Sequence, residues 1–191
     1  MANAPSQMFE HGLDVKKGWF DMTALDYSAK LGNVAFDMPR GRVVHLAVEG
    51  GKEVFLPGVG SSDVAIFLLN GSTDADVSNP GTTAGGIFVQ QAVSPSGKLS
   101  GLVATGGYEI ATTEYVKTSG GSTVTYAPGD LLTAATGTSA GDAATAGVLA
   151  KASGAYADPV CGVVSSGAAK NHNGVNTLSF WCVYLPADER A

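Results

Sequence analysis

From Arg42 onward the apolar residues come in short runs cut by turn residues. Val43 to Val48 forms one run, and Gly50-Gly51 follows it as a hairpin dipeptide. Glu53 to Leu56 is the next short strand, stopped by Pro57-Gly58. Val64 to Leu69 is apolar at every position and ends at Asn70-Gly71, which predicts a strand buried on both faces. Ile87 to Val93, Leu99 to Ala104 and Tyr108 to Lys117 are further strand-like segments. In the last of these, Glu109, Ala111, Thr113, Tyr115 and Lys117 alternate with Ile110, Thr112, Glu114 and Val116. Neither face is cleanly apolar, so this strand is expected at a sheet edge or an interface.

Leu131-Leu132, Gly147 to Lys151, Val160 to Val164 and Thr177 to Leu185 complete the series. The last alternates Leu178, Phe180, Cys182 and Tyr184 with Ser179, Trp181, Val183 and Leu185. Three stretches read as connections: Ser72 to Gly86, Thr133 to Ala146 and Ser165 to Asn176. Thr133 to Ala146 is rich in Ala, Thr and Gly, fitting a flexible loop or a close-packed segment of small residues. About ten short strands with regular turns predict an all-β domain over 41–191, a small β-barrel or a jelly-roll-like sandwich.

Residues 1–40 follow another pattern. Apolar anchors stand apart, at Phe9, Trp19, Phe20, Tyr27 and Phe36, with polar residues between them. Such a segment buries too little apolar surface to fold alone. It reads as an extended N-terminal arm, with a short helical turn near Asp21 to Lys30. Its five aromatics are the candidate contacts to a larger partner or to a neighbouring subunit. The competing reading has them close one end of the domain's own core.

Composition sharpens this picture. Charged residues are only 15% of the chain and Gly contributes 26 of 191 residues, so the surface must be built from small, weakly polar side chains. Such a surface suits a protein packed against partners. The net charge is −6 with no basic run, which removes the main electrostatic term for nucleic-acid binding and disfavours an anionic membrane. No run of eighteen apolar residues is present, and Met1 to Gln7 lacks the basic and apolar regions of a secretory signal. Synthesis in the cytosol is therefore expected, with Cys161 and Cys182 as buried thiols.

Candidate chemistry is sparse. His11, His45 and His172 are not spaced for a metal with any Cys, Asp or Glu. His45, inside an apolar strand, reads as a core or interface residue, and His172 as solvated. Gly58 to Asp63 begins like a dinucleotide loop but lacks the third glycine and the helix. Asp74 and Asp76 imitate part of a calcium loop without its Gly and terminal Glu. Asn70-Gly71-Ser72 matches a glycosylation sequon but reads as a turn. The expectation is no enzyme activity, no cofactor, no metal and no catalytic residue.

The last sixty residues carry a further pattern. It runs Tyr126 to Leu132, an Ala/Thr/Gly loop, Ala146 to Ala152, Pro159 to Val164, and Leu178 to Pro186. This resembles the capsid cement, or decoration, proteins of tailed bacteriophages, over about a third of the chain. In that family a Gly-Asp-Leu strand enters a small barrel and a Val-Gly-Val-Val strand follows a proline turn. Gly129-Asp130-Leu131 and the strand after Pro159 take those places here. The resemblance implies a structural protein made in the host cytoplasm and located on the capsid exterior of the virion. It would act as a trimer or dimer that clips neighbouring major capsid protein subunits together. The alternative is a glycan- or host-surface-binding virion domain, in a head fibre or tail.

Overall fold

The computed structural model describes residues 13–18, 26–61, 63–69, 71–72, 98–104, 108–153, 158–170 and 174–185. Strands occur in the order β1 (Leu13–Gly18), β2 (Asp26–Leu31), β3 (Val43–Glu49), β4 (Lys52–Pro57), β5 (Ile66–Leu68), β6 (Lys98–Val103), β7 (Tyr108–Thr112), β8 (Thr118–Ser119), β9 (Ser122–Thr123), β10 (Leu131–Ala134), β11 (Leu149–Lys151), β12 (Val160–Lys170) and β13 (Asn176–Leu185). One 3-10 turn, Ala140–Asp142, is the only helical element among the described residues. The protein is all-β. It combines a closed five-stranded barrel, β2-β4-β3-β5-β6, with a six-stranded sheet, β1-β7-β13-β12-β10-β11, and the small hairpin β8-β9.

The two bodies share one core because single strands serve both. On β5, Ile66 and Leu68 point into the barrel with Met38, Val44, Phe55 and Leu99. Phe67 points the other way, into the cluster that holds Leu132, Leu178 and Phe180 of the sheet. Its ring centroid lies 5.3 Å from that of Phe180. The middle of the apolar run at 64–69 is thus a strand with barrel interior on one side and sheet on the other, as its pattern predicted, whereas Val64 is exposed and precedes it. Val43 and Val44 divide between the two clusters in the same way.

Backbone hydrogen bonds close the seam. Val43 donates to Gly147 at 2.8 Å and accepts from Gly58 at 2.9 Å. Val59 donates to Ala134 at 3.1 Å, and Gly147 to Ala135 at 2.9 Å. Gly58 has φ +82°, and a Cβ there would collide with the Ala135 carbonyl. A Cβ on Gly147 would stand 2.6 Å from the Val43 oxygen. Only glycine lets the barrel backbone and the sheet backbone come this close.

The N-terminal strands belong to both bodies. β1 pairs antiparallel with β7, Val15 opposite Ile110, and β2 pairs antiparallel with β6, Ala29 opposite Leu99. β2 also pairs in parallel with β4, which closes the barrel. Two strands from residues 1–40 thus pair with strands of 41–191. Met38 is fully buried in the barrel, and Asp26–Lys30 is strand where a helical turn was expected. Two flanking strands satisfy its backbone, and that outweighs local propensity. Residues 1–12 and 19–25 lie outside the described residues.

Two other expectations change. β7 lies between β1 and β13 and is not an edge. Its mixed polarity arises because Glu109 and Thr112, with Thr113 and Glu114 beyond its end, are buried polar groups with internal partners. Much of the polar stretch 165–176 is strand, since β12 runs to Lys170 and β13 starts at Asn176. A register shift between Val164 and Gly167 lets the ladder continue through Ser165-Ser166. Thr133 to Ala146 is mostly exposed and is held at its two ends, with Ala135 bridged to Ala146 and a capping box between Ser139 and Asp142. The Gly50-Gly51 turn joins β3 to β4 as its sequence predicts, with φ +57° and +77°. The expected strand at Ile87–Val93, and the loop Ser72–Gly86 beyond Ser72, lie outside the described residues.

Replacing Gly58 by Ala should cost on the order of 3 kcal/mol, because the new methyl group meets backbone that cannot move aside. Gly50→Ala also adopts a positive φ, but nothing lies within 4 Å of its Cβ, and it should cost only about 1 kcal/mol. Urea unfolding midpoints of the two variants check the difference.

Candidate interaction surface

The buried charges come first, because they decide whether the molecule keeps a reactive centre. Arg42 precedes β3 and Glu114 follows β7, and both side chains are about nine-tenths buried. Arg42 Nε lies 3.2 Å from Glu114 Oε2, and Nη1 donates to the Ala146 carbonyl at 3.1 Å. The guanidinium carbon stands 5.8 Å from the centroid of the Phe36 ring. Thr113 Oγ1 donates to Glu114 Oε1 at 3.4 Å, and Thr112 Oγ1 donates to the Gly41 carbonyl at 3.2 Å. This cluster binds barrel to sheet at the same seam as the Val43 exchange.

His45 is held by the chain it faces. Its Nδ1 is 2.9 Å from the Gly58 carbonyl oxygen, which can only accept, so Nδ1 carries the proton. Nε2 is 3.7 Å from Asp63 Oδ2, which accepts from Gly60 N at 3.0 Å. The loop that begins like a dinucleotide motif is thus a turn pinned against β3 by its own aspartate and by His45. Glu109 accepts a 2.6 Å hydrogen bond from Ser165.

The other ionisable groups also serve structure. Burial pushes the Cys161 thiol up to about 12, and it donates to the Leu132 carbonyl at 3.5 Å. Cys161 and Cys182 are both buried free thiols, as expected. Burial, with Tyr115 and Asp130 beside it, pushes the Tyr126 hydroxyl up to about 12, and that hydroxyl donates to the Val116 carbonyl at 2.7 Å. The Tyr115 ring packs edge-on against Tyr126, with centroids 5.6 Å apart. The Lys151 ammonium, 2.8 Å away, and the Ala127 amide hold Asp130 below the usual carboxylate range. Among the described residues, no three His, Cys, Asp or Glu side chains gather as a metal site, and no helix is long and apolar enough to cross a membrane.

Of the five aromatics proposed as contacts, Phe36 is half-buried and packs on the barrel core. Tyr27 lies on β2 opposite Gly101. Phe9, Trp19 and Phe20 lie outside the described residues, as do His11, His172, Asp74 and Asp76. Of the five, Phe36 and Tyr27 are therefore the two whose strands or packing the structure describes.

The structure presents another surface. Core residues Leu178, Phe180 and Cys182 alternate on β13 with Trp181, Val183 and Leu185, which face outward. Trp181 is 40% exposed and Leu185 39%. Trp181 stands opposite Val163 of β12, which stands opposite Leu131 of β10. The result is an apolar row across three strands on the outer face of the sheet. Period-two alternation in 177–185 placed Trp181 on the face opposite Phe180. A large aromatic on the face opposite the core was the available signal.

Two outcomes follow. Arg42→Ala leaves a buried carboxylate without its cation and should cost about 3–5 kcal/mol, whereas the paired change Arg42→Met with Glu114→Leu should cost much less. A double-mutant cycle in urea measures both. On the alkaline side, the folded state holds Tyr126 and Cys161 protonated above their ordinary values of about 10 and 8.5. Their contribution is complete below those values and is lost as pH rises through about 12. The unfolding midpoint should therefore fall between about pH 9 and pH 12, and less steeply in Tyr126→Phe. Compared with known proteins, the chain matches no family model, no curated protein and no solved structure.

Proposed function

We propose that this chain is a structural protein that coats the outside of a tailed-phage head and clips neighbouring major capsid protein subunits together, with no catalytic role. The observation that carries the reading is the outward apolar row Leu131-Val163-Trp181, continued along β13 by Leu185. It lies within the segment whose pattern resembles the decoration proteins. Aromatic residues at the centre of a contact supply much of its binding energy once water is excluded from around them. Arg42, Glu114, His45, Cys161 and Tyr126 are each committed to internal partners, which fits a scaffold better than a reaction centre. A homo-oligomer, trimer or dimer, would present several copies of the row at once. That multiplies a modest single contact through effective concentration.

The same exposed indole could stack on the face of a sugar ring, and a glycan-binding virion domain is the second reading. A glycan array separates the two. The direct test is co-sedimentation with expanded, undecorated heads of the phage that encodes the chain. Wild type should pellet with heads, and Trp181→Ala should lose on the order of thirtyfold in affinity while unfolding at an unchanged urea concentration. Equal occupancy by the folded variant would overturn the assignment of this face. No pelleting by wild type would overturn the capsid reading.

A further inference from the structure

A second surface differs from the first in chemistry. The hairpin β8-β9 leaves the fold at Lys117 and returns at Val124, whose amide donates to the Lys117 carbonyl at 2.9 Å. Every residue from Lys117 to Thr123 is exposed. Its base is fixed by the Tyr115–Tyr126 ring contact and the Tyr126–Val116 hydrogen bond. The distal part of the β12-β13 hairpin is also exposed, at Ala168 to Lys170 and at Gly174 and Asn176.

The two hairpins share a root. β10 pairs with β12 through Leu131 and Val163, and Gly129 N extends that pairing to the Val164 carbonyl at 2.9 Å. One step further, Gly167 lies so near Tyr126 that a Cβ there would be 2.7 Å from the Tyr126 carbonyl oxygen. The strand leaving one hairpin therefore runs beside the strand entering the other, at one end of the sheet.

Charge distinguishes this end. The chain has 17 acidic and 11 basic residues, yet no carboxylate occurs between Glu114 and Asp130 or between Asp158 and Asp188. Each hairpin contributes one lysine, Lys117 and Lys170. Neither forms an ion pair with a described residue. Lys117 stands 5.6 Å above the Tyr115 ring, which orients its ammonium without neutralising it. The hairpin that follows Lys117 carries the hydroxyls of Thr118, Ser119, Ser122 and Thr123 and the exposed Gly120-Gly121 turn. Lysine and hydroxyl groups together are donors, and donors suit carboxylates.

We propose that this two-hairpin end is a docking surface for a carboxylate-rich protein segment. The remainder of an acidic chain would repel such a partner, so contact is directed here. Two lysines are too few to follow a phosphate backbone, whose affinity grows with each cation engaged. The proposal does not depend on the apolar row or on a capsid partner.

The test is titration of the full-length, amide-labelled protein with an oligoglutamate peptide, followed by NMR. At low ionic strength the shifts should concentrate in 117–123 and 168–170 and weaken at physiological salt. Lys117→Gln with Lys170→Gln should reduce affinity about fivefold. Lys52→Gln, on the exposed turn of the barrel hairpin, should not change it. Absence of binding at low salt, shifts located elsewhere, or equal loss in Lys52→Gln would overturn the proposal. So would duplex DNA that shifts the same residues as strongly as the peptide, since the site would then read phosphate.

Discussion

Val43 ties the barrel to the sheet side through its amide and to the end of β4 through its carbonyl, and the rest of the fold depends on that pair of bonds. Its amide reaches Gly147 and its carbonyl receives Gly58, so a barrel strand is bonded at one residue to two other segments. Each bond contributes about 1 kcal/mol net. Their greater effect is geometric, because they set a backbone separation that excludes side chains at positions 58 and 147. Once that separation is set, Phe67 meets Phe180 and Arg42 reaches Glu114. Wider spacing would leave a cavity between the aromatics and would strand a buried guanidinium from its carboxylate.

The close seam also accounts for the buried polar residues. Where barrel and sheet meet there is no water for the side chains, so each hydroxyl and charge buried there needs an internal partner. Thr112 satisfies the Gly41 carbonyl and also receives the Glu114 amide. Arg42 divides its donors between Glu114 and Ala146. All but the local Thr112–Glu114 bond join segments distant in sequence. Polar groups used this way specify one docking of barrel on sheet, where apolar contact alone would tolerate several.

Legibility followed the range of the interaction. Gly50-Gly51, the run at 64–69 and the alternation at 177–185 were readable because turn geometry and strand burial act between neighbours in sequence. The edge alternative for β7 arose because Glu109 and Glu114 look solvent-facing until Ser165 and Arg42, 56 and 72 residues away, are brought to them. Asp26–Lys30 looked helical because its partners, β6 and β4, are remote. The candidate surface was half legible. Alternation separated Trp181 from Phe180, but its continuation through Val163 and Leu131 depends on strand order, which no local pattern encodes.

The two outer surfaces follow from the same economy. The core consumes Phe67, Phe180, Leu178 and Leu132, and the seam consumes the buried charges, so what stays outside is informative. An outward tryptophan aligned with valine and leucine is not required by the sheet, which would be equally well paired with polar residues there. A hairpin pair without carboxylates is likewise not required in a chain with six excess negative charges. One surface offers apolar area and the other offers donors. A partner that meets both must combine an apolar patch with nearby carboxylates, and that combination discriminates more sharply than either contact alone because a wrong partner leaves lysines or indole desolvated without return.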